Sequence, residues 1–327
     1  MRSRAVSFCS ASILFLFAVV ARAADASDLP KFQFRGIILK ASSLKYRPHD
    51  DIIFPTVLAI HQHVAKPIAK YYMYYAPHDA PGGICLAVAD HPEGPWREYA
   101  NNPVISHDWA PYYKVSHVSG PDAIWSDEQR KVFLYFHGEN NVTRLATSED
   151  GIHFRYEGSV IDTKMIEPGV TEASYGRVSR DQLPGKNNRY VMLVMGNHKN
   201  TRNIYLAWSK DGRHWQAQPD PIIRPPAGTD QVAGAICLPW KGKHYVIFHG
   251  HDSAVKANDG FDLFAAETSP TFDLIGTPFK YIDRTFVSPT NVAVMSPSIL
   301  NESGKLYLYF NVGPRLNNQI ALAVADR

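Results

Sequence analysis

A run of five mostly aromatic and aliphatic residues recurs five times along this chain of 327 residues. The runs occupy residues 71–75, 132–136, 190–194, 244–248 and 306–310. A shorter run of small and apolar residues precedes each of them, at residues 55–58, 122–125, 173–176, 234–238 and 297–300. The four steps from Pro55 to Pro297 cover 242 residues, which gives a mean period of about 60. A repeat at a fixed period predicts a fold assembled from similar units, one for each copy of the repeat.

Each unit is predicted to be a small antiparallel sheet. The runs are rich in aromatic and β-branched residues and are separated by turn residues, a pattern that favours strands. No window shows the sustained i, i+3, i+4, i+7 spacing of a helix. A third strand is predicted at residues 84–89, 144–148, 203–209, 261–267 and 319–325, and a turn with a fourth strand follows. Five four-stranded units predict an all-β, five-bladed β-propeller, whereas a two-sheet sandwich predicts no repeat at this spacing.

The fifth unit ends at Arg327 after only three strands. Residues 34–40 form an apolar strand near the other end of the chain that no unit uses. Pairing of this strand with residues 319–325 would complete the fifth unit and remove an exposed sheet edge. We therefore expect residues 24–327 to form a single propeller domain, with its ring closed by the two ends of the chain.

Residues 1–23 have the pattern of a secretory signal peptide. Arg2 and Arg4 precede an apolar stretch at residues 13–20, and Ala21-Arg22-Ala23 has the form of a cleavage site. The pattern predicts a secreted or periplasmic protein. No later stretch approaches 18 apolar residues, so no membrane segment is expected after cleavage, and we expect a monomer.

Charge and cysteine content exclude two further classes of protein. The chain has 34 Lys and Arg against 31 Asp and Glu, and three of the arginines lie in residues 1–23, which contain no acidic residue. The remainder is formally neutral, which argues against nucleic-acid binding. Once Cys9 has left with the signal, only Cys85 and Cys237 remain, and we expect both to be buried free thiols and not part of a disulfide framework.

Two segments share the form Ser-x-Asp-Gly-x-x-aromatic, at residues 148–154 and 209–215. They are similar to the Asp-box of sialidases. The Asp-Gly pair predicts a tight turn between the third and fourth strands, with the aromatic side chain packed back on the blade. We interpret these segments as structural turns on the outer part of the propeller.

The strand order predicts one mouth at which polar side chains converge. In an antiparallel blade, the start of the first strand and the end of the second lie at the same end of the sheet. The starts supply Asp50, Asp51, Asp122, Glu172 and Asp230. The ends supply further candidates for substrate binding, namely His78, Asp79, His137, Glu139, His198, His249, His251 and Arg315, and Asp50 joins this group. Aromatic residues expected near the mouth, which could stack on sugar rings, are Trp109, Tyr112, Tyr113, Trp125 and Tyr175.

At these positions the chain resembles the five-bladed propeller glycoside hydrolases of family 43 and its relatives. The segment Gly120-Pro121-Asp122-Ala123-Ile124-Trp125 is similar to the Pro-Asp motif that begins the inner strand of blade two in that family. The segment Thr171-Glu172-Ala173-Ser174-Tyr175 is similar to its blade-three motif, a Glu followed by small residues. The resemblance implies that Glu172 is the general acid, and that Asp122 orients Glu172 and raises its pKa.

The chain departs from that family in blade one. The family places its general base, an Asp, before a Pro, whereas this chain has Phe54-Pro55. Asp51 is the nearest candidate for the base, and Asp79, Glu139 and Asp252 are alternatives. A pair of carboxyls is what glycoside hydrolysis needs, one to protonate the leaving oxygen and one to activate water or attack the sugar.

These residues predict a secreted glycoside hydrolase that acts on a plant or microbial polysaccharide or oligosaccharide with arabinose-, xylose- or galactose-type bonds. No cofactor is required for this chemistry. One alternative is a sugar-binding propeller without catalysis, which the missing Asp of blade one favours. The other is metal-assisted hydrolysis or lyase action on the same scaffold, with a divalent ion such as Ca²⁺ held on the axis by His137, His198, His249 or His251.

Overall fold

Each of the five aromatic runs forms the second strand of a four-stranded antiparallel sheet in the computed structural model, which describes residues 25–255 and 259–327. The predicted signal peptide at residues 1–23, with Cys9, lies outside the described residues. The five sheets are the blades of a β-propeller, so the predicted fold class is confirmed.

The strands follow the predicted order. Strand β1 (Gln33–Leu39) comes first. Blade one contains β2 (Ile53–Leu58), β3 (Tyr71–Ala76), β4 (Cys85–Ala89) and β5 (Arg97–Glu98). A short hairpin of β6 (Asp108–Trp109) and β7 (Tyr113–Lys114) precedes blade two, which contains β8 (Ser119–Ser126), β9 (Lys131–His137), β10 (Val142–Ser148) and β11 (Arg155–Asp162).

The remaining blades repeat this arrangement. Blade three contains β12 (Val170–Arg180), β13 (Tyr190–His198), β14 (Thr201–Ser209) and β15 (Trp215–Ala217). Blade four contains β16 (Thr229–Trp240), β17 (Lys243–Asp252), β18 (Phe261–Thr268) and β19 (Leu274–Ile282). Blade five contains β20 (Val294–Glu302), β21 (Lys305–Val312) and β22 (Gln319–Asp326). Short 3-10 helices lie at Ala26–Asp28, Ala41–Ser43, Ile60–Gln62, Thr163–Met165 and Arg284–Phe286.

The ring closes as the strand count predicts. Strand β1 pairs antiparallel with β22, with Phe34 opposite Ala323 and Leu39 opposite Ile320. A buried amide adds a second link between the last and the first blade: Asn311 accepts a hydrogen bond from the Phe54 backbone N–H at 2.9 Å and donates one to the Ile52 carbonyl at 2.6 Å. The prediction that the two ends of the chain complete one blade is therefore confirmed.

All five inner strands carry a β-bulge at the same point. The bulged residues with positive φ are Phe54, Gly120, Tyr175, Gly234 and Ser296, with φ values of 55°, 59°, 52°, 61° and 54°. The regular pairing of each inner strand with its neighbour is interrupted at this point. Aromatic side chains rarely adopt such a conformation, which costs on the order of 1–3 kcal/mol for each non-glycine residue and is characteristic of functional sites.

The two Ser-x-Asp-Gly turns join neighbouring blades. In the second of them, the Ser209 hydroxyl accepts from the Gly212 N–H at 2.9 Å, which holds the turn. The Gly212 carbonyl accepts a hydrogen bond from the Tyr135 hydroxyl of blade two at 2.7 Å, and the Trp215 ring lies 5.9 Å from the Tyr135 ring. The first turn makes the equivalent contact with Tyr74 of blade one. These turns therefore have the predicted structural role, and their aromatic side chains reach the preceding blade.

Both cysteines of the described chain are free thiols, Cys85 buried and Cys237 half-buried. Among the described residues, no helix has the length and apolar character needed to cross a membrane.

Candidate functional site

A cavity of about 810 Å³ opens where the first strands begin and the second strands end. Its wall carries nine basic or acidic side chains: His49, Asp51, His78, Asp79, His117, Arg202, His249, His251 and Arg315. Of the residues that the sequence assigned to the site, Asp51, His78, Asp79, His249, His251 and Arg315 are among them. The predicted mouth therefore exists, and it is a concave polar site of the size that small ligands occupy.

Other predicted site residues lie away from the cavity wall. Asp50 is exposed and pairs with Arg47 at 3.2 Å. Glu139 is exposed in the loop after β9, where its φ is 63°. His198 binds the Glu167 carboxylate, which also accepts a hydrogen bond from Tyr205.

Two further carboxylates of the mouth region are engaged by neighbours. Asp230, at the start of β16, accepts from Nδ1 of His251 at 2.8 Å. Asp252, an alternative base in the sequence, accepts a hydrogen bond from Arg284 at 2.6 Å, which holds the end of β17 against the 3-10 helix after blade four. The predicted site residues thus fall into two groups, one that lines the cavity and one that lies outside its wall. The second group contains Asp50, Glu139, His198, Asp230 and Asp252.

Three rings, those of Phe54, Tyr175 and His249, form the floor of the cavity, and the buried His137 ring packs behind them. The Phe54 and Tyr175 rings are stacked, with centroids 4.6 Å apart and an angle of 17° between their planes. The His137 ring packs edge-on against Tyr175 at 4.6 Å, and the His249 ring lies 6.3 Å from Phe54. The aromatic rings come from two bulged positions, and the two histidines come from the blades in which the bulged residue is glycine. The bulges therefore shape the floor, which presents a flat apolar face to whatever the cavity binds.

Tyr175 is the member of the predicted aromatic set that lines the cavity. Trp109, Tyr112 and Tyr113 belong to the β6–β7 hairpin and pack with Tyr156 of blade two. Trp125 stacks on His63 at 4.8 Å, at the opposite end of its strand from the mouth. The expectation that these four residues lie near the mouth is wrong, because the hairpin packs against blade two and Trp125 lies at the far end of β8.

Asp122 lies beneath the floor, buried against Arg177. The Arg177 guanidinium donates to Asp122 Oδ1 at 3.1 Å, and the Val178 N–H donates to Oδ2 at 2.7 Å. Burial raises the pKa of Asp122, and the adjacent guanidinium opposes that shift. Arg177 also contacts the Pro121 carbonyl at 3.1 Å and lies over the Phe54 ring at 5.5 Å. This buried ion pair thus joins the inner strands of the neighbouring blades two and three near the propeller axis.

Glu172 lies directly behind the cavity wall. Its carboxylate pairs with Arg202 at 3.1 Å and accepts a hydrogen bond from the Asn197 amide at 3.1 Å. Arg202 and Asn197 both line the cavity, and Arg202 lies over the Tyr175 ring at 5.9 Å. Glu172 therefore orients two cavity residues, Arg202 and Asn197.

Asp51 and Asp79 line the cavity in contrasting environments. Asp51 is only 1% exposed, and its Oδ1 accepts a hydrogen bond from the Asn318 N–H at 3.0 Å. Burial, with a smaller effect of the charge on Asp79, raises the pKa of Asp51 to about 6. Burial also acts to raise the pKa of Asp79, but His78 at 2.7 Å and Arg315 at 3.2 Å outweigh it and hold that pKa below its usual value. Around pH 6, Asp51 is therefore partly protonated, whereas Asp79 is ionised.

We expect the variant Asp51→Asn to be more stable than the wild type at pH 8 and equally stable at pH 4. The pKa of Asp51 rises from 3.8 to about 6 on folding, so protonation favours the fold below 3.8, and this contribution is lost as the pH rises through 6. Asparagine resembles the protonated form at every pH. The gain at pH 8 should be about 3 kcal/mol in the free energy of unfolding, measured by urea denaturation.

The exposed Asp90→Asn variant is the control and should show no change at either pH. An Asp51→Asn gain of equal size at both pH values would mean that ionisation of Asp51 is not its cause.

The histidines of the mouth do not form a recognisable metal site. Within residues 25–255 and 259–327, no group of three or more His, Cys, Asp or Glu side chains is arranged to hold a metal ion. The divalent ion on the axis stays an untested prediction of the sequence.

Three residues in or beneath the cavity wall escaped the sequence analysis. Arg177 and Arg202 lie outside the strand ends from which candidates were drawn, and Phe54 was noted only as a substitution. A usable signal for the bulges was present, since Phe54-Pro55, Gly120-Pro121 and Ser296-Pro297 place a proline at the same point of three inner strands.

No family model and no curated protein matches the sequence. Solved structures do match the fold. One is described as a complex of BT0996 with RGII, with a TM-score of 0.66, 15% identity and coverage of 92% of this chain and 93% of that one. Another is a glycosyl hydrolase from Bacteroides ovatus, with a TM-score of 0.62, 15% identity and coverage of 93% and 95%. A third is an exo-1,5-alpha-L-arabinanase from a bovine ruminal metagenomic library, with a TM-score of 0.59, 14% identity and coverage of 84% and 92%. The resemblance to five-bladed propeller glycoside hydrolases is confirmed at the level of the fold.

Proposed function

We propose that this protein is a glycoside hydrolase that binds a carbohydrate in the central cavity and cleaves a glycosidic bond with two cavity carboxyls. The observation that carries the proposal is the contrast between Asp51 and Asp79, one buried with its pKa raised to about 6 and the other with its pKa lowered by His78 and Arg315. Two carboxyls with separated pKa values in one cavity are the arrangement that acid–base cleavage of a sugar acetal requires.

In this proposal Asp51 donates its proton to the leaving oxygen as the bond from that oxygen to the anomeric carbon breaks. The ionised Asp79 activates a water molecule or attacks the anomeric carbon on the opposite side. The resemblance to family 43 gave the acid role to Glu172, and Asp51 was the nearest candidate for the base that Phe54 replaces. We favour the exchanged assignment because Glu172 is paired with Arg202, whereas Asp51 is buried without a basic side chain bonded to it.

Glu172 then acts as a positioning residue, since it orients Arg202 and Asn197 at the cavity wall. The stacked Phe54 and Tyr175 rings offer an apolar face for a sugar ring. A carbohydrate ligand is supported by the description of one structural neighbour as an RGII complex, and arabinose-type bonds by the description of another as an arabinanase. Export, a monomeric state and bonds of the xylose or galactose type stay predictions of the sequence.

Release of reducing ends from arabinan, xylan, galactan and fructan oligosaccharides tests the proposal. We expect the wild type to cleave at least one of them, and Asp51→Asn and Asp79→Asn to lose about 100-fold or more in kcat/KM. Glu172→Gln should raise KM more than it lowers kcat, because it disturbs Arg202 and Asn197. Asp90→Asn, on the outer part of blade one, should retain wild-type activity. Full activity of Asp51→Asn would refute its role as the acid.

A sugar-binding propeller without catalysis is the second candidate. It is favoured by Phe54, which occupies the position of the family's general base, and by Asp122, which is committed to Arg177. Glycan binding by the wild type without release of reducing ends would support it.

A further inference from the structure

His249 is fixed in one orientation by contacts with four strands. Its ring packs edge-on against Phe261 of β18 at 5.5 Å and lies beside Phe54 of β2. On β16 the ring lies so close to Gly234 that a Cβ atom there would come within 2.9 Å of Nδ1 and Cε1. Gly234 also has a φ of 61°, so this position suits glycine on both counts. The fourth contact is a hydrogen bond from β20.

That hydrogen bond determines which ring nitrogen carries the proton. The backbone N–H of Ser296 donates to Nδ1 of His249 at 3.2 Å. A backbone N–H can only donate, so Nδ1 must be unprotonated. In a neutral imidazole the proton then lies on Nε2, so Nε2–H is the donor that this cavity-lining residue can offer to a ligand.

The surroundings also keep the ring neutral. The groups that contact it from the four strands, Phe54, Gly234, Phe261 and the Ser296 backbone, carry no charge. The charged groups that act on it are both cationic, Arg202 at the cavity wall and Arg177 beneath the floor. Burial, reinforced by these two guanidinium groups, lowers the pKa of His249 to about 3.

We propose that His249 is a specificity-determining residue whose Nε2–H donates a hydrogen bond to an oxygen of the bound sugar and takes no part in proton transfer. The inference rests on the proposed function, since it takes a carbohydrate as the occupant of the cavity. A neutral N–H in a fixed tautomer can only donate, so it selects for a sugar that presents an acceptor oxygen, from a hydroxyl or a ring ether, at that point of the floor. A sugar with an apolar group there would leave the buried N–H without a partner and bind more weakly.

The protonation state and tautomer of the His249 ring can be tested on residues 24–327 without a ligand. Long-range ¹H–¹⁵N NMR of the histidine side chains, with His249 assigned by loss of its signals in His249→Gln, should show a single neutral tautomer protonated at Nε2 between pH 5 and pH 8. Titration of His249 within that range, or a proton on Nδ1, would overturn the proposal.

Two variants test the contact with the sugar. His249→Gln keeps an N–H donor at a similar reach, whereas His249→Met has a similar length and no donor. Calorimetric titration with non-hydrolysable, sulfur-linked analogues of arabino-, xylo-, galacto- and fructotriose should show that Met weakens the affinity for the trisaccharide that the wild type binds best by about tenfold, and that Gln weakens it by less than threefold.

Equal affinity of the Met variant and the wild type would refute the hydrogen bond from His249 to the sugar. It would not contradict the proposed function. If the wild type binds none of the four trisaccharides, the proposed function is refuted. The proposed hydrogen bond from His249 to a sugar is then refuted too, whichever tautomer NMR finds.

Discussion

Removal of residues 25–41 should lower the melting temperature of the protein by about 10 °C or more and abolish any activity. These residues include β1, which supplies the outermost strand of blade five and pairs with β22 along its whole length. Without β1, β22 would become an exposed edge with unpaired backbone groups, and the apolar residues that β1 covers would be exposed to water. Differential scanning calorimetry of the deletion variant measures the effect.

Point substitutions in the same strand provide a matched control. Leu39 is 4% exposed and packs in the apolar cluster shared by blades five and one, whereas Ile37 is 40% exposed. We expect Leu39→Ser to lower the free energy of unfolding by about 2–4 kcal/mol and Ile37→Ser to change it by less than about 1 kcal/mol. A deletion variant with wild-type stability would show that β1 does not close the ring.

Arg177→Met should destabilise the protein by about 3–5 kcal/mol at pH 8. The Arg177 and Asp122 side chains are both buried, and loss of the guanidinium leaves a carboxylate without its cationic partner. The loss should be smaller at pH 5, because an isolated buried carboxyl takes up a proton more readily than a paired one. Urea denaturation at the two pH values measures both effects.

The double variant Arg177→Met with Asp122→Asn should recover part of the loss at pH 8, since no buried charge remains. Arg97→Met is the matched surface control: Arg97 is exposed, lies 3.9 Å from Asp90, and should contribute less than about 1 kcal/mol. If Arg177→Met were no more destabilising than Arg97→Met, the pair could not be what holds blades two and three together across the axis.

The strand positions were predictable because they follow from local composition. Ring closure was predictable because it follows from the number of strands in each blade. The aromatic runs are almost completely buried, so they stand out in the sequence. The strand at residues 34–40 was left over, and only blade five lacked a fourth strand. The mouth was predictable for the same reason, since antiparallel pairing alone puts Asp51, His78 and His249 at one end of the propeller.

The details of the site depend on contacts between residues far apart in the chain. Asp122 matches a catalytic motif in its sequence, yet its partner Arg177 lies 55 residues later and reaches it only because the inner strands of blades two and three meet at the axis. The bulges place Phe54 and Tyr175 in a backbone conformation that local propensity assigns to glycine, so their stacking could not be expected. Trp109 was misplaced because no local signal gives the direction in which the β6–β7 hairpin folds.

The pairing of β1 with β22 also decides where the chain can be attached to something else. Gln33 begins the outermost strand beside Val324, and Asp326 ends the neighbouring strand, so the start of β1 and the end of β22 both lie opposite the cavity. A fusion partner, an affinity tag or a surface linker at either end would leave the mouth open to solution. Because Gln33 and Asp326 lie on neighbouring strands, a short linker could join them, and new ends made in a loop between blades would give a circular permutant with the same ring.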